Sequence, residues 1–273
     1  MSVITDPLQF SFFVRALLAA ILVGILCPVL GTFVVLRGMA FLGDALAHII
    51  LPGVVVAFLI GVPVIFGALV MGVLTAIGIG AISERASLRE DSTIGVIFAG
   101  SFALGIAMLS ATDGYAVDLT HFLFGNLLGV SRFDLGIMAF ISLLVIAVII
   151  AFFKELQAIS FDRTLARTLR LPVRVFDYGL LVLIALTIVV ALEAVGVSLM
   201  LAMLVTPAAT ATFFTNRLQP MMLLSAVIGV VSGIVGLYAS FYLNIASGPA
   251  VVLTATLLFA VGFVTQNVQQ QTG

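Results

Sequence analysis

The sequence predicts an all-α protein, a polytopic transmembrane bundle of eight or nine helices. Of its 273 residues, 63% are hydrophobic and 8% are charged, and the mean hydropathy is +1.37. A soluble domain carries roughly 45–50% apolar and about 25% charged residues, so this composition indicates a lipid environment. The apolar residues form continuous runs rather than the alternation of a lipid-facing β-strand, which argues against a transmembrane barrel.

Charged residues divide the apolar sequence into candidate spans, each near the ~20 residues that a helix needs to cross ~30 Å of hydrocarbon. The stretch GDALAHIILPG carries charge and a proline, so an eight-span count stays open beside a nine-span count. Glycines at helical spacing in GALVMGVLTAIGIG and IGVVSGIVG predict close helix packing. The candidate spans are residues 12–36, 40–60, 62–83, 92–110, 134–153, 177–193, 195–214, 220–242 and 249–266.

Basic residues predict how the chain is oriented. If Ser83–Asp91 is cytoplasmic, the nine-span count places Lys154–Arg174 and Arg217 on the same side, and only Arg15 and Arg132 outside. Cytoplasmic loops of membrane proteins carry an excess of Lys and Arg, so this distribution supports the assignment. The nine-span count then predicts an outward N-terminus and a cytoplasmic C-terminal tail.

The chain has too few lysines and cysteines for several classes of functional site. Lys154 is the only lysine, so no phosphate-binding loop ending in Gly-Lys-Ser/Thr can exist, and the chain is not expected to hydrolyse ATP. Cys27 is the only cysteine, which excludes an internal disulfide and a thiolate metal cluster. Transport by this chain would use an ion gradient, passive conduction or an ATPase partner.

The stretch LRGMAFLGDALAHIILPG, residues 36–53, places Asp44 and His48 in otherwise apolar sequence. Residues four apart share a helix face, so both side chains can point to one site. A carboxylate with an imidazole suits Mn²⁺, Fe²⁺ or Zn²⁺, and ionisable groups inside a bundle favour a transport path. The alternative is structural: Asp44 caps a broken helix or pairs with Arg37, and His48 hydrogen-bonds a carbonyl.

The stretch SFDRTLARTLRLPVRVFDYG, residues 160–179, is the most basic part of the chain. Its first three residues can cap a helix. Arg163, Arg167, Arg170 and Arg174 follow at spacings of four, three and four, which predicts one face of a short cytoplasmic helix. Such a face would bind either anionic lipid headgroups or an acidic or grooved partner surface.

Six blocks between about residues 12 and 265 resemble, in order, the membrane permeases of ATP-binding-cassette importers for manganese, zinc or iron. The blocks are VLRGMAFLGDALAHIILPGV, REDSTIGVIF, DLTHFLFGNLLGVS, FDRTLARTLRLPVRVFDYGLL, VGVSLMLAMLVTPAATA and GLYASFYLNIASGPAVVL. The resemblance implies one permease domain over residues 1–273, with the type II importer fold, in a bacterial inner membrane.

The same resemblance implies a cytoplasmic coupling segment at residues 160–176 that binds an ATPase subunit. Arg170 stands where the family usually has a glycine, which leaves the turn after the coupling helix in question. The residues implied to couple the permease to the ATPase are Asp162, Arg163, Ala166, Arg167, Leu169 and Arg170.

The resemblance further implies what is transported and with which partners. Asp44 and His48 would contribute to a transient metal site, and the form HIILPG resembles the manganese and iron branch, so Mn²⁺ is expected before Zn²⁺ or Fe²⁺. No permanently bound cofactor and no nucleic-acid partner are expected. The expected partners are two ATPase subunits, an extracytoplasmic metal-binding protein, a second copy of the chain and the lipid membrane.

Further residues are weaker candidates for the transport path. Asp118 and His121 could meet the ion at the outer side, although helix capping at a polar surface explains them as well. Glu193 either lines the path or ends a span. Pro52 and Pro207 are expected to break or kink their helices, which would suit a gate.

Two other functional classes explain the sequence less well. A gradient-driven secondary carrier often shows inverted internal repeats, and none is recognisable here. An intramembrane metalloenzyme needs a closed ligand set, yet the chain has two histidines and lacks a His-Glu-x-x-His motif.

Overall fold

The structure is a computed structural model that describes residues 6–86, 90–111 and 127–272. Its described residues form α-helices and two short 3-10 turns, Pro7–Gln9 and Leu127–Gly129, with no β-strand among them, which confirms the all-α prediction. The helices are α1 (Ser11–Leu36), α2 (Phe41–Ile49), α3 (Leu51–Leu59), α4 (Val64–Ala86), α5 (Glu90–Ser110), α6 (Arg132–Ala151), α7 (Phe153–Phe161), α8 (Arg163–Thr168), α9 (Val173–Thr212), α10 (Leu218–Leu243) and α11 (Ser247–Thr272).

Eight helical segments of the described chain are long and apolar enough to cross a membrane. Helices α2 and α3 together supply one of them, Phe41–Leu59. The two spans expected at 177–193 and 195–214 correspond to two helical stretches of α9, which meet at a kink at the non-helical residue Gly196. Counting α9 once gives eight candidate spans among the described residues, within the eight or nine that the sequence predicts.

The conformation at Gly196 marks the kink at which the two helical stretches of α9 meet. Its φ of 78° and ψ of 170° lie in a region that is essentially restricted to glycine.

Contacts within the chain divide it into two compact units. The first comprises the described residues of Met1–Val35, His121–Leu143 and Ala191–Gly273. Here the backbones of α1 and α10 nearly touch, because a Cβ at Gly24 would lie 3.0 Å from the carbonyl of Gly229. The Nε of Arg15 donates to the carbonyl oxygen of Val130 at 3.0 Å. The packing role predicted for the glycines around residue 229 is thereby confirmed.

The second unit comprises the described residues of Leu36–Thr120 and Leu144–Val190. It contains α2 to α5, α7 and α8, and the first part of α9. The close packing predicted for the glycines of α4 is confirmed at Gly67, where a Cβ would overlap the carbonyl oxygen of Gly53 in α3. This unit therefore holds both the aspartate and histidine of α2 and the basic segment around residue 165.

Candidate functional site

Asp44 and His48 lie on one face of α2, as their spacing predicts. The Nε2 of His48 is 3.9 Å from the Oδ1 of Asp44, and their side chains are 27% and 40% exposed. The opposite face of α2 is buried, with Leu42, Ala45 and Leu46 at most 1% exposed. Packing of that apolar face orients the aspartate and the histidine together, and 3.9 Å leaves room for an ion to approach both.

Two phenylalanines of α5 hold the imidazole of His48. Its ring centroid lies 5.9 Å from that of Phe98 and 5.5 Å from that of Phe102, the second contact being edge-to-face. Phe98 and Phe102 are themselves nearly parallel, with centroids 5.8 Å apart. These aromatic contacts restrict the ring rotation of His48 without occupying its nitrogens.

The structural alternative for the pair finds no support in the described part of the chain. Arg37 pairs with Asp177 at 2.7 Å rather than with Asp44. The N-cap position of α2 is Ala40, so Asp44 does not cap the helix. Among the described residues, the side chain of His48 accepts or donates no hydrogen bond. Both polar groups are thus available to a ligand.

The described residues supply only part of a metal shell. No group of three or more His, Cys, Asp or Glu side chains gathers among them, so Asp44 and His48 lack a third protein ligand of this kind there. Asp118 and His121 lie outside the described residues. Glu193 is half-buried in α9, three residues before the break at Gly196, and belongs to the first unit.

The two prolines differ in their effect on the helices. Pro52 lies in the first turn of α3, just after α2 ends, where a missing N–H costs no helical hydrogen bond. It therefore marks the break between α2 and α3 that the sequence predicts. Pro207 lies inside α9, and the helix continues through it to Thr212. Pro207 thus removes one backbone N–H donor from α9, but the expected break does not occur there.

The predicted capping of the basic segment is confirmed at Asp162. Its Oδ1 accepts hydrogen bonds from the backbone N–H groups of Thr164 at 2.8 Å and Leu165 at 3.0 Å. These bonds satisfy donors that the first turn of α8 would otherwise leave unpaired. Asp162 therefore sets where α8 begins.

Arg170 forms the turn that ends α8, although it replaces the usual glycine. Its φ of 57° is left-handed. Its N–H donates to the carbonyl of Arg167 at 2.9 Å, and the N–H of Leu171 donates to that of Ala166 at 3.1 Å. This pair of bonds is the Schellman motif, which glycine normally completes. The arginine thus retains the turn at a conformational cost of roughly 1–2 kcal/mol.

The four arginines do not share one helix face, contrary to the prediction. Helix α8 ends at Thr168, Arg170 follows in the left-handed turn, and Arg174 already belongs to α9. The left-handed turn redirects the chain, so spacings of four, three and four no longer correspond to one face. The side chain of Arg163 lies outside the described part of the structure.

The surface of this segment is more apolar than its charges indicate. Phe161, Leu165 and Leu169 are 55%, 52% and 60% exposed, whereas Ala166 is completely buried. Ala166 packs in a small cluster with Ile159 and Val173. The exposed side chains of Phe161 and Leu165 are not among the features predicted from the sequence. Their spacing of four residues within a basic segment was the available signal.

We expect Asp162→Ala to destabilise α8 by about 1 kcal/mol, because two amide donors lose their acceptor. Hydrogen exchange of the Thr164 and Leu165 amides should then accelerate by roughly fivefold. Asp162→Asn is the matched control, since its amide oxygen still accepts hydrogen bonds. Equal protection of both amides in wild type and Asp162→Ala would contradict the capping role.

Comparison with known proteins places this architecture in a family. The family model described as the ABC 3 transport family matches residues 9–266. The manganese transport system membrane protein MntC of Halalkalibacterium halodurans is 47% identical over 256 residues, which cover 94% of this chain and 88% of that protein. The chelated iron transport system membrane protein YfeD of Yersinia pestis is 37% identical over 268 residues, covering 98% and 90%. The solved structure of PsaBC from Streptococcus pneumoniae in complex with Fab matches with a TM-score of 0.83 and 39% identity, covering 96% of this chain and 94% of that one.

Proposed function

The chain belongs to the ABC 3 transport family, and from this premise we propose that it imports a divalent metal ion, manganese in the first place, as the permease subunit of an ATP-driven transporter. It is a multi-pass protein of the plasma membrane, as its eight apolar helices and its relatives indicate. The observation that carries the proposal is the partly exposed Asp44 and His48 pair inside the span Phe41–Leu59.

Manganese is supported by donor chemistry and by the relatives. One carboxylate and one imidazole suit Mn²⁺, Fe²⁺ or Zn²⁺, and the sole cysteine, Cys27, is buried in α1. The relatives reported above are named for manganese and for chelated iron transport. Iron is therefore the second candidate substrate, and zinc has no comparable support among these relatives.

The pair would act as a transient site rather than a storage site. An ion that crosses hydrocarbon must exchange part of its water shell for protein donors, and charged donors lower the cost of that exchange. A site with few protein ligands also releases its ion more readily than a closed shell. Asp44 and His48 supply two donors, and water or residues beyond the described part of the chain would supply the others.

Partners would supply the energy and deliver the ion. The chain has no phosphate-binding loop, so an ATPase subunit would bind the exposed apolar and basic surface formed by Phe161, Leu165, Leu169 and Arg167. An extracytoplasmic binding protein would deliver the metal, and a second copy of the chain would complete the path. ATP binding would then shift the permease between two states that differ in their exposure of the metal site.

The proposal is tested by metal uptake into vesicles that contain this chain, its ATPase and its binding protein. We expect uptake of ⁵⁴Mn²⁺ that requires ATP, and competition by Fe²⁺ that exceeds competition by Zn²⁺. Vesicles without the ATPase are the control, since a gradient-driven carrier would transport without it. Uptake that depends on an ion gradient and not on ATP would reject the importer assignment.

A further inference from the structure

Arg37 is a buried arginine next to the coupling segment. Its side chain is 7% exposed, and its Nη1 donates to the Oδ1 of Asp177 at 2.7 Å. Its Nη2 donates to the Oγ of Ser160 at 3.5 Å, while its Nε has no hydrogen-bond partner among the described residues. A buried ion pair contributes little net stability, and an unsatisfied donor adds a cost. Stabilisation of the fold is thus a weak explanation for this arginine.

The partners of Arg37 lie on both sides of the coupling segment. Ser160 is near the end of α7, two residues before the capping residue Asp162, and Asp177 is in the first part of α9. Ile159 near the end of α7 and Val173 at the start of α9 pack with Ala166 of the segment. Arg37 therefore contacts a packed segment near both of its ends.

The chain that follows Arg37 leads directly into α2. Between Arg37 and α2 the chain makes a tight turn, in which Gly38 adopts a φ of 69° and Met39 is 1% exposed. The N–H of Leu42 donates to the carbonyl of Met39 at 2.9 Å. Because this connection is short and anchored, a displacement of Arg37 would be passed to α2, which carries Asp44 in its first turn.

A cavity next to these residues leaves room for movement. Arg37, Ser160 and Asp177 line a cavity of about 1340 Å³, together with Asp162 and Arg167 of the coupling segment. Closely packed surroundings would transmit a displacement of the coupling segment through many contacts at once. Because Arg37 lies beside an open cavity, its polar contacts would transmit a larger share of that displacement.

We propose that Arg37, through its bonds to Asp177 and Ser160, is a positioning residue that transmits movement of the coupling segment to the metal pair on α2. The inference rests on the proposed import function. Arg37 itself does not contact the ion in this proposal. Loss of the Arg37 side chain should therefore uncouple ATP hydrolysis from metal transport, while binding of ATP and binding of the metal ion are retained.

The test measures ⁵⁴Mn²⁺ uptake and phosphate release in the same vesicles, with the full chain, its ATPase and its binding protein. We expect Arg37→Gln to lower the number of ions imported per ATP by about tenfold, within the usual range of coupling between sites. ATP hydrolysis without the binding protein should stay near the wild-type rate. The exchange variant Arg37→Asp with Asp177→Arg should recover most of the wild-type ratio, because it restores the ion pair.

Arg15→Gln is the matched control, because Arg15 is also partly buried and donates to a carbonyl, but in the first unit. We expect it to keep the wild-type ratio. An unchanged ratio in Arg37→Gln, or a ratio that stays low in the exchange variant, would overturn the inference. If Arg37→Gln does not assemble, the exchange variant alone decides. Absence of ATP-dependent uptake by the wild type would instead reject the proposed function.

Discussion

Asp44→Ala and His48→Ala are each expected to lower ATP-dependent manganese uptake by about 100-fold or more, equivalent to about 2.8 kcal/mol. The two side chains lie 3.9 Å apart on one face of α2 and supply the donors on which the proposed metal site depends. Losing either removes one of the two donors that the described residues supply, so less of the ion's hydration shell is replaced. Initial rates of ⁵⁴Mn²⁺ uptake at matched protein levels measure the effect.

Asp134→Asn serves as the control for these variants, because it removes a negative charge from the first turn of α6, outside α2, and its amide oxygen can still accept the N–H of Ser131. Its uptake should stay close to that of the wild type. Assembly with the ATPase should be retained in all three variants, since residues 44, 48 and 134 lie outside the coupling segment. Wild-type uptake by both Asp44→Ala and His48→Ala would remove the pair from the path, and the search would turn to Asp118 and His121.

Gly67→Ala is expected to destabilise the protein by about 3 kcal/mol, at the upper end of overpacking effects. A Cβ at this position would overlap the carbonyl oxygen of Gly53 and would lie 2.7 Å from the Cβ of Ala57. Since backbone cannot move aside as a side chain can, α3 and α4 would have to separate. Thermal unfolding in detergent measures the loss, which would also reach the span that carries Asp44.

Gly78→Ala provides the matched control in the same helix. No atom lies within 4 Å of a Cβ built at Gly78, so the methyl group meets no obstacle. Alanine is favoured over glycine inside a helix by roughly 0.5–1 kcal/mol, so this variant should be neutral or slightly more stable. If Gly67→Ala and Gly78→Ala unfold at the same temperature, the close approach of α3 and α4 does not contribute to the stability of the protein.

Local sequence patterns predict much of the architecture. Apolar runs of about twenty residues identify the membrane spans, because the hydrocarbon thickness sets the length of each helix. The spacing of Asp44 and His48 predicts their common face, since helical periodicity alone determines it. Asp162 likewise predicts where α8 begins, because a capping side chain bonds to backbone amides within three residues of its own position.

Other features depend on residues far apart in the chain. Arg37 could have paired with Asp44, seven residues away, yet it pairs with Asp177, and only the packing of α2, α7 and α9 decides between these carboxylates. The kink at Gly196 within α9 also escapes a local pattern, because one glycine can either bend or end a helix. Periodicity and hydropathy act over a few turns and can be read from the sequence. Partner choice, close backbone approach and chain direction at a break depend on which distant segments occupy the same space, and that is known only once the chain is folded.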